Sequence, residues 1–341
     1  MTTQRAGIVV AAALLLLSGC LPYSCRREES TALMPSDSVS REMAAAVATD
    51  TLRLVWTHSV AGDRALLHPR TVRFGAAGRD EIYVSDVEAG AVFVFDTVGS
   101  LRHVIETVEV PYLAGIRGDT IAVFAPSGPS IHLLVDGKPV DTLAISDPER
   151  PRTSLVYGAF GPSAYYKRVD DAETFVAEVR RDGTLGARVS LPGPHWRHAG
   201  MLRFWDDIVV SLSGFRPVVD LVRPGKGVDT LALRGFDSPM LARSRSFLTA
   251  DVDEPPLLSS SAAASGDLLF VVNLRAGWLQ IDAFDRSGRL VHRLTERGRS
   301  YRRAFFPQDL DVRRGTGGSY IIAVVFSAPE PAVSLYAWDP Q

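Results

Sequence analysis

Phe95-Asp96-Thr97-Val98-Gly99-Ser100-Leu101 and Phe284-Asp285-Arg286-Ser287-Gly288-Arg289-Leu290 follow one plan: an aromatic ends an apolar run, an aspartate and a glycine turn the chain, and a leucine opens the next run. Asp and Gly placed between two β-rich segments are hairpin-turn chemistry, because glycine takes positive φ without steric cost. The two copies stand about 190 residues apart, four units of about 47. Weaker copies lie between them, at Val135-Asp136-Gly137, Arg181-Asp182-Gly183 and Pro224-Gly225-Lys226-Gly227. Upstream of the turns sit short β-rich runs at 81–85, 120–124, 163–167, 207–212, 267–272 and 320–326. Six runs predict six units.

A period in the forties with about four strands per unit is that of a β-propeller blade. The expected fold is therefore all-β, a six-bladed β-propeller of four-stranded antiparallel blades. A ring of five or seven blades, or a pair of β-sandwiches, remains open on the period alone. Tyr336-Ala337-Trp338-Asp339 matches Phe93-Val94-Phe95-Asp96, a third strand. Thr51-Leu52-Arg53-Leu54-Val55-Trp56 matches Ser100-Leu101-Arg102-His103-Val104-Ile105, a fourth strand. The N-terminal strand is thus expected to close the last blade and bury Leu52, Leu54 and Trp56, removing exposed sheet edges.

His68-Pro69-Arg70-Thr71-Val72 leads to Glu81-Ile82-Tyr83-Val84-Ser85-Asp86, then to Val92-Phe93-Val94-Phe95-Asp96 and Gly99. On these residues the chain resembles the six-bladed propellers of the NHL-repeat type. Phe306-Pro307-Gln308-Asp309-Leu310-Asp311-Val312 opens the final unit in the same way, whereas units two to four keep the period and lose most of the signature.

The N-terminus carries a second resemblance. An apolar run at 6–17 follows Arg5 and leads into Leu17-Ser18-Gly19-Cys20, which looks like a bacterial lipobox. At about 12 residues the run is too short to cross a roughly 30 Å hydrocarbon core, so it reads as a signal. The resemblance implies cleavage before Cys20, acylation of its thiol and amine, and stable anchoring by two or three acyl chains. Leu21, in place of an aspartate, points to the outer membrane of a two-membrane envelope. The expected organisation is a lipoprotein signal peptide at 1–19, a lipidated cysteine and flexible linker at 20–50, with a short helix possible at 42–47, and the propeller at 51–341.

Of 341 residues two are cysteines; with Cys20 lipidated, Cys25 has no intramolecular partner and the domain folds without disulfides. A net charge of -2 gives no long-range field for nucleic acid. Lys138, Lys167 and Lys226 are the only lysines, so almost every cation is arginine, whose planar guanidinium suits carboxylate and phosphate.

In propellers of this kind the loops leading into the innermost strands share a face with the loops between second and third strands, and that face usually binds. Here it carries His68 and Arg70, Tyr112, Arg152, then His195, Trp196, Arg197 and His198, then Arg243 and Arg245, then Arg302, Arg303, Phe305 and Phe306. The candidate ligand-binding rim is Arg70, Trp196, Arg197, His198, Arg302 and Phe305, suited to an envelope protein or an anionic or glycan-like ligand. A wider spacing between Gly227 and Gly288 marks an insertion at 236–255 over the mouth, with a helix starting at Ser238-Pro239. The expected function is a lipid-anchored binding or scaffolding module without a cofactor. The alternative is a metal-dependent hydrolase or lyase, with His68, His195 and His198 as ligands in the channel mouth. Asp251, Asp253 and Glu254 are a weaker set for Ca²⁺.

Overall fold

The computed structural model describes residues 37–248, 254–296 and 305–340. Helix α1 (Asp37–Ala45) leads into strand β1 (Thr49–His58) and a small hairpin, β2 (Val60–Ala61) and β3 (Arg64–Ala65). Four antiparallel sheets of four strands follow. They are β4–β7 (Pro69–Phe74, Glu81–Asp86, Ala91–Asp96, Leu101–Glu106) and β8–β11 (Tyr112–Arg117, Thr120–Ala125, Ser130–Val135, Lys138–Ala144). Next come β12–β15 (Leu155–Phe160, Ala164–Val169, Thr174–Val179, Leu185–Ser190) and β16–β19 (Leu202–Trp205, Ile208–Leu212, Val218–Arg223, Gly227–Ala232). After helix α2 (Leu241–Leu248) come β20–β23 (Ala262–Ser265, Leu268–Val272, Gln280–Phe284, Leu290–Glu296) and β24–β26 (Phe306–Arg314, Tyr320–Ala328, Ala332–Trp338). These last seven strands and β1 form one eight-stranded sheet, in the order β20-β21-β22-β23-β1-β26-β25-β24.

Strand β1 occupies the place the sequence assigns it. Arg53 to His58 run antiparallel to β26, with Arg53 opposite Ala337, and Thr49 to Leu52 run parallel to β23, with Thr49 opposite Arg293. The apolar residues of β1 divide differently from expectation. Leu52 is buried, but Leu54 is 40% exposed and Trp56 only half-buried, its indole N–H donating to Thr97 O. A bulge between Leu54 and Trp56 breaks the simple alternation.

The middle strands are covered on both faces: all six residues of β6 are buried. Such strands read as continuous apolar runs because apolar clusters lie between successive sheets. One joins Val92 and Val94 of β6 to Val123 and Leu134 of the next sheet. At the other end of the chain, Ala323 and Val325 of β25 pack with Ile82 and Phe93 of β5 and β6, so the last sheet returns to the first. The first strands of the sheets touch in the cycle β4, β8, β12, β16, β20, β24 and back to β4, enclosing a channel.

The recurring turn glycine has a second role besides positive φ. A Cβ on Gly183 would lie 1.9 Å from Ala144 O, and one on Gly288 2.2 Å from Ala232 O, each at the end of the preceding sheet's outer strand. The hairpin tip is therefore also an inter-sheet contact.

The boundary expected at residue 51 shifts toward the N-terminus. Helix α1 buries Ser40 and Ala44, and Ala44 packs with Leu233, Phe236 and Leu290, so the second half of the expected linker is part of the folded body. Cys20, Cys25 and the apolar leader lie outside the described residues. Among the described residues no helix is long and apolar enough to cross a membrane.

Candidate functional site

At one mouth of the channel lies a cavity of about 770 Å³, lined by the loops leading into the first strands and by loops between second and third strands. This is the face the sequence points to. Among the described residues the lining includes Arg70, Arg150, Arg152 and Arg203, and no carboxylate, histidine or lysine. Its apolar part comes from Phe124, Phe215, Leu257 and Phe306, with Tyr112 and Tyr157 between.

Local hydrogen bonds set the arginines in place. Asp86, which ends β5, accepts the backbone N–H of Leu67 at 2.7 Å and of His68 at 3.0 Å, fixing the approach to Arg70. The Arg70 guanidinium meets Gln308 Oε1 on β24. Asp170, two sheets further on, accepts from Ser154 Oγ at 3.0 Å, holding the loop that carries Arg150 and Arg152. Burial opposes ionisation of Asp170, but bonds from the Glu173 N–H and Ser154 more than offset it and keep its pKa below the usual carboxylate value. No ion pair joins Arg150 or Arg152 to a carboxylate among the described residues.

Below the cavity the channel is crossed by a charge network. Arg203 on β16 donates to Asp309 Oδ1 at 2.5 Å and Arg73 on β4 to Oδ2 at 2.8 Å. The Val72 N–H and Ser261 Oγ donate to the same carboxylate. Burial would raise the Asp309 pKa, but the two guanidinium charges outweigh it and hold it low. Burial, followed by the charge of Arg73, pushes Arg203 down to about 10. Tyr157 in the wall is pushed up to about 12 by burial.

The rim residues named from the sequence separate. Arg70 lines the cavity. Trp196 is half-buried and packs edge-to-face on Phe247 of α2, with ring centroids 4.8 Å apart. Arg197 and His198 are not on the rim: both are buried, Arg197 donating to Asp220 at 2.5 Å and His198 with Nδ1 3.3 Å from the same carboxylate. Burial lowers the His198 pKa. Phe305 is also buried, against Phe326 at 5.3 Å. Arg302, Arg303, Asp251 and Asp253 lie outside the described residues.

The three histidines do not converge. His195 Nε2 lies 2.9 Å from Asp171 on the surface, and His198 Nε2 is bonded to Pro192 O. Among the described residues no group of three His, Cys, Asp or Glu is placed to hold a metal. Arg150, Arg203, Tyr157 and Phe215 were not singled out in the sequence. Their one local signal is the aspartate ending a second strand, at Asp86 and Asp170, which marks where the adjoining loop is tied down.

No protein-family model matches the sequence, and no curated protein matches it. Solved structures do. Regucalcin from Agrobacterium tumefaciens, described as a calcium-binding protein, superposes with a TM-score of 0.54 at 11% identity, over 85% of this chain and 95% of that one. A luciferin-regenerating enzyme gives 0.53 at 10% identity, over 83% and 95%. A catalytically inactive virginiamycin B lyase from Staphylococcus aureus with quinupristin gives 0.52 at 10% identity, over 83% and 99%. The fold is a β-propeller. At these identities the likeness concerns the fold alone.

Proposed function

We propose that the protein is a six-bladed, lipid-anchored binding module of the cell envelope whose mouth cavity receives a carboxylate- or phosphate-bearing ligand. The blade count is supported by the cycle of first strands and by β1, which fills the outer position beside β26. In that reading the eight-stranded sheet is two blades joined edge to edge through β1. The anchor rests on Leu17-Ser18-Gly19-Cys20, and Leu21 favours the outer membrane. Membrane attachment would run through the lipid, leaving the propeller to face its partner.

The observation that carries the binding reading is the lining of the cavity: among the described residues, four arginines and no carboxylate. Its volume is that of a small-molecule site, and convergent like charges in a concave wall concentrate the field on an anion. Guanidinium groups bind carboxylate and phosphate in bidentate fashion, and the aromatic wall accepts a sugar ring or other apolar body. The ligand could be free or an acidic group on an envelope glycan or protein. Among the described residues the lining holds no histidine, carboxylate, lysine or cysteine that could serve as base or nucleophile, which favours binding over catalysis.

Titration calorimetry with a panel of acidic sugars, sugar phosphates and their neutral analogues tests this. Acidic members should bind and neutral ones should not, and the double variant Arg150→Ala, Arg152→Ala should lose at least tenfold in affinity. Equal binding of neutral and acidic members would refute the reading.

A further inference from the structure

Arg216 lies in the loop between β17 and β18 and is 1% exposed. Its Nε, Nη1 and Nη2 are all buried without a hydrogen-bond acceptor. The guanidinium sits over the Trp196 ring, 5.2 Å from its centroid, and Trp196 in turn meets Phe247 of α2. Phe215, the preceding residue, lines the mouth cavity, whereas neither Arg216 nor Arg197 does.

The surrounding charges do not balance it. Asp220 Oδ1 is already taken by Arg197 and by Thr230 Oγ1 at 2.6 Å, and His198 Nδ1 lies 3.3 Å from Oδ2. Lys167, wholly buried nearby, donates to His198 O, Gly200 O and Ser211 Oγ, all neutral. Arg197 and Lys167 thus share the Asp220 carboxylate, and among the described residues the one charge acting on Arg216 is the like charge of Arg197. Burial and the charge of Arg197 push Arg216 down to about 10, so it stays protonated at neutral pH. Arg197 Nε also lacks an acceptor.

A buried cation with five N–H donors and no acceptor is strongly unfavourable, and an apolar side chain of similar length would fill the same space without that cost. Buried unpaired polar groups in folded proteins mark a strained, functional, water-binding or ion-binding position, and a full cation favours an anion over water. We propose that Arg216, with Arg197 beside it, forms a buried oxyanion site beneath α2, separate from the mouth cavity. The ligand is a small planar or tetrahedral oxyanion, a carboxylate, sulfate or phosphate, matched by the guanidinium fork. Trp196 and Phe247 wall the site, so α2 must shift to admit the ion.

Thermal melting of the full chain in chloride and in inorganic phosphate at equal ionic strength tests the proposal. The wild-type Tm should rise saturably, by about 5 °C at a hundredfold excess over Kd. Arg216→Met added to Arg150→Ala, Arg152→Ala, which removes anion binding at the mouth, should show no rise, and Arg216→Met alone should melt in chloride at or above the wild type, because it removes an unpaired buried charge. Arg150→Ala, Arg152→Ala should keep the rise. If Arg216→Met fails to fold, Arg216→Lys keeps the charge without the fork and should need at least tenfold more phosphate for half the effect. An ion too tightly held to titrate would appear as phosphate or sulfate released from the denatured wild type and absent from the variant. The proposal is overturned by a rise that survives in the triple variant Arg150→Ala, Arg152→Ala, Arg216→Met or is unweakened in Arg216→Lys, by one already lost in the double variant, or by a flat wild type that releases no oxyanion.

Discussion

Arg203 and Asp309 meet at 2.5 Å beneath the mouth cavity, joining β16 to β24 past the strand that separates them. Arg73 reaches the same carboxylate from β4, so one buried aspartate ties three first strands together and closes the floor on which a ligand would rest. A positively charged cavity can stand over this floor because Asp309 pairs with Arg203 and Arg73 below, whereas among the described residues no carboxylate pairs with Arg150 or Arg152 above.

Asp309→Asn should therefore destabilise the ring by about 3–5 kcal/mol, since it leaves two buried guanidinium groups without their anion. At roughly 2–4 °C per kcal/mol for a domain of this size class, the melting temperature should fall by on the order of 10 °C. The depressed Asp309 pKa adds a pH dependence: its stabilisation is complete above the ordinary carboxylate pKa and disappears as pH falls through the folded value. Denaturant midpoints in acid should drop more steeply for the wild type than for the variant.

Lys167 acts with the opposite sign to an ion-paired lysine. Burial pushes its pKa from 10.5 down to about 7, with Asp220 opposing. Between those values the unfolded chain holds a proton that the folded chain has released, so stability should rise with pH over that window. The slope from this one group is about 1.4 kcal/mol per pH unit. Lys167→Met should flatten it, as measured by urea midpoints between pH 7.5 and 9.5.

Removing residues 1–36 should leave the melting temperature of the propeller unchanged. Removing 1–48 also takes away α1 and exposes the surface under Ala44. Removing 1–58 deletes β1, unpairs the edges of β23 and β26, and takes away the buried Leu52, whose burial is itself worth about 1.5–3 kcal/mol. The three truncated chains should melt in that descending order. Identical melting of all three would show that β1 does not close the ring.

Gly183→Ala should cost more than the 1–2 kcal/mol typical of a left-handed alanine, because its Cβ would meet the Ala144 carbonyl as well. Gly225→Ala is the control: it also has positive φ, but nothing lies within 4 Å of the added Cβ, so only the backbone strain remains. Chemical denaturation of the two variants separates the turn from the inter-sheet contact.

Cys20→Ala should move the protein from the detergent-soluble membrane fraction to the aqueous one on phase partitioning. Retention in the membrane fraction by the variant would rule out the lipid as its only attachment.

The sequence by itself determined the repeating turns, the strands around them, the closing role of β1, the capping serine Ser238 ahead of α2, and the face on which the cavity opens. Those features depend on signals read within a few residues: an Asp-Gly turn, an apolar run, a capping serine whose Oγ accepts the Met240 N–H. Only the tertiary structure decided which loop side chains face the ligand. Arg70 and Arg197 look alike in the sequence, yet Arg70 lines the cavity whereas Asp220 on β18 draws Arg197 inward, and α2 folds down over Trp196. The same holds for Arg216, whose burial is set by Trp196 and Phe247 arriving from two separate segments. Turn and strand chemistry is local, but the direction of a charged side chain is set by partners tens of residues away, and no local pattern records them.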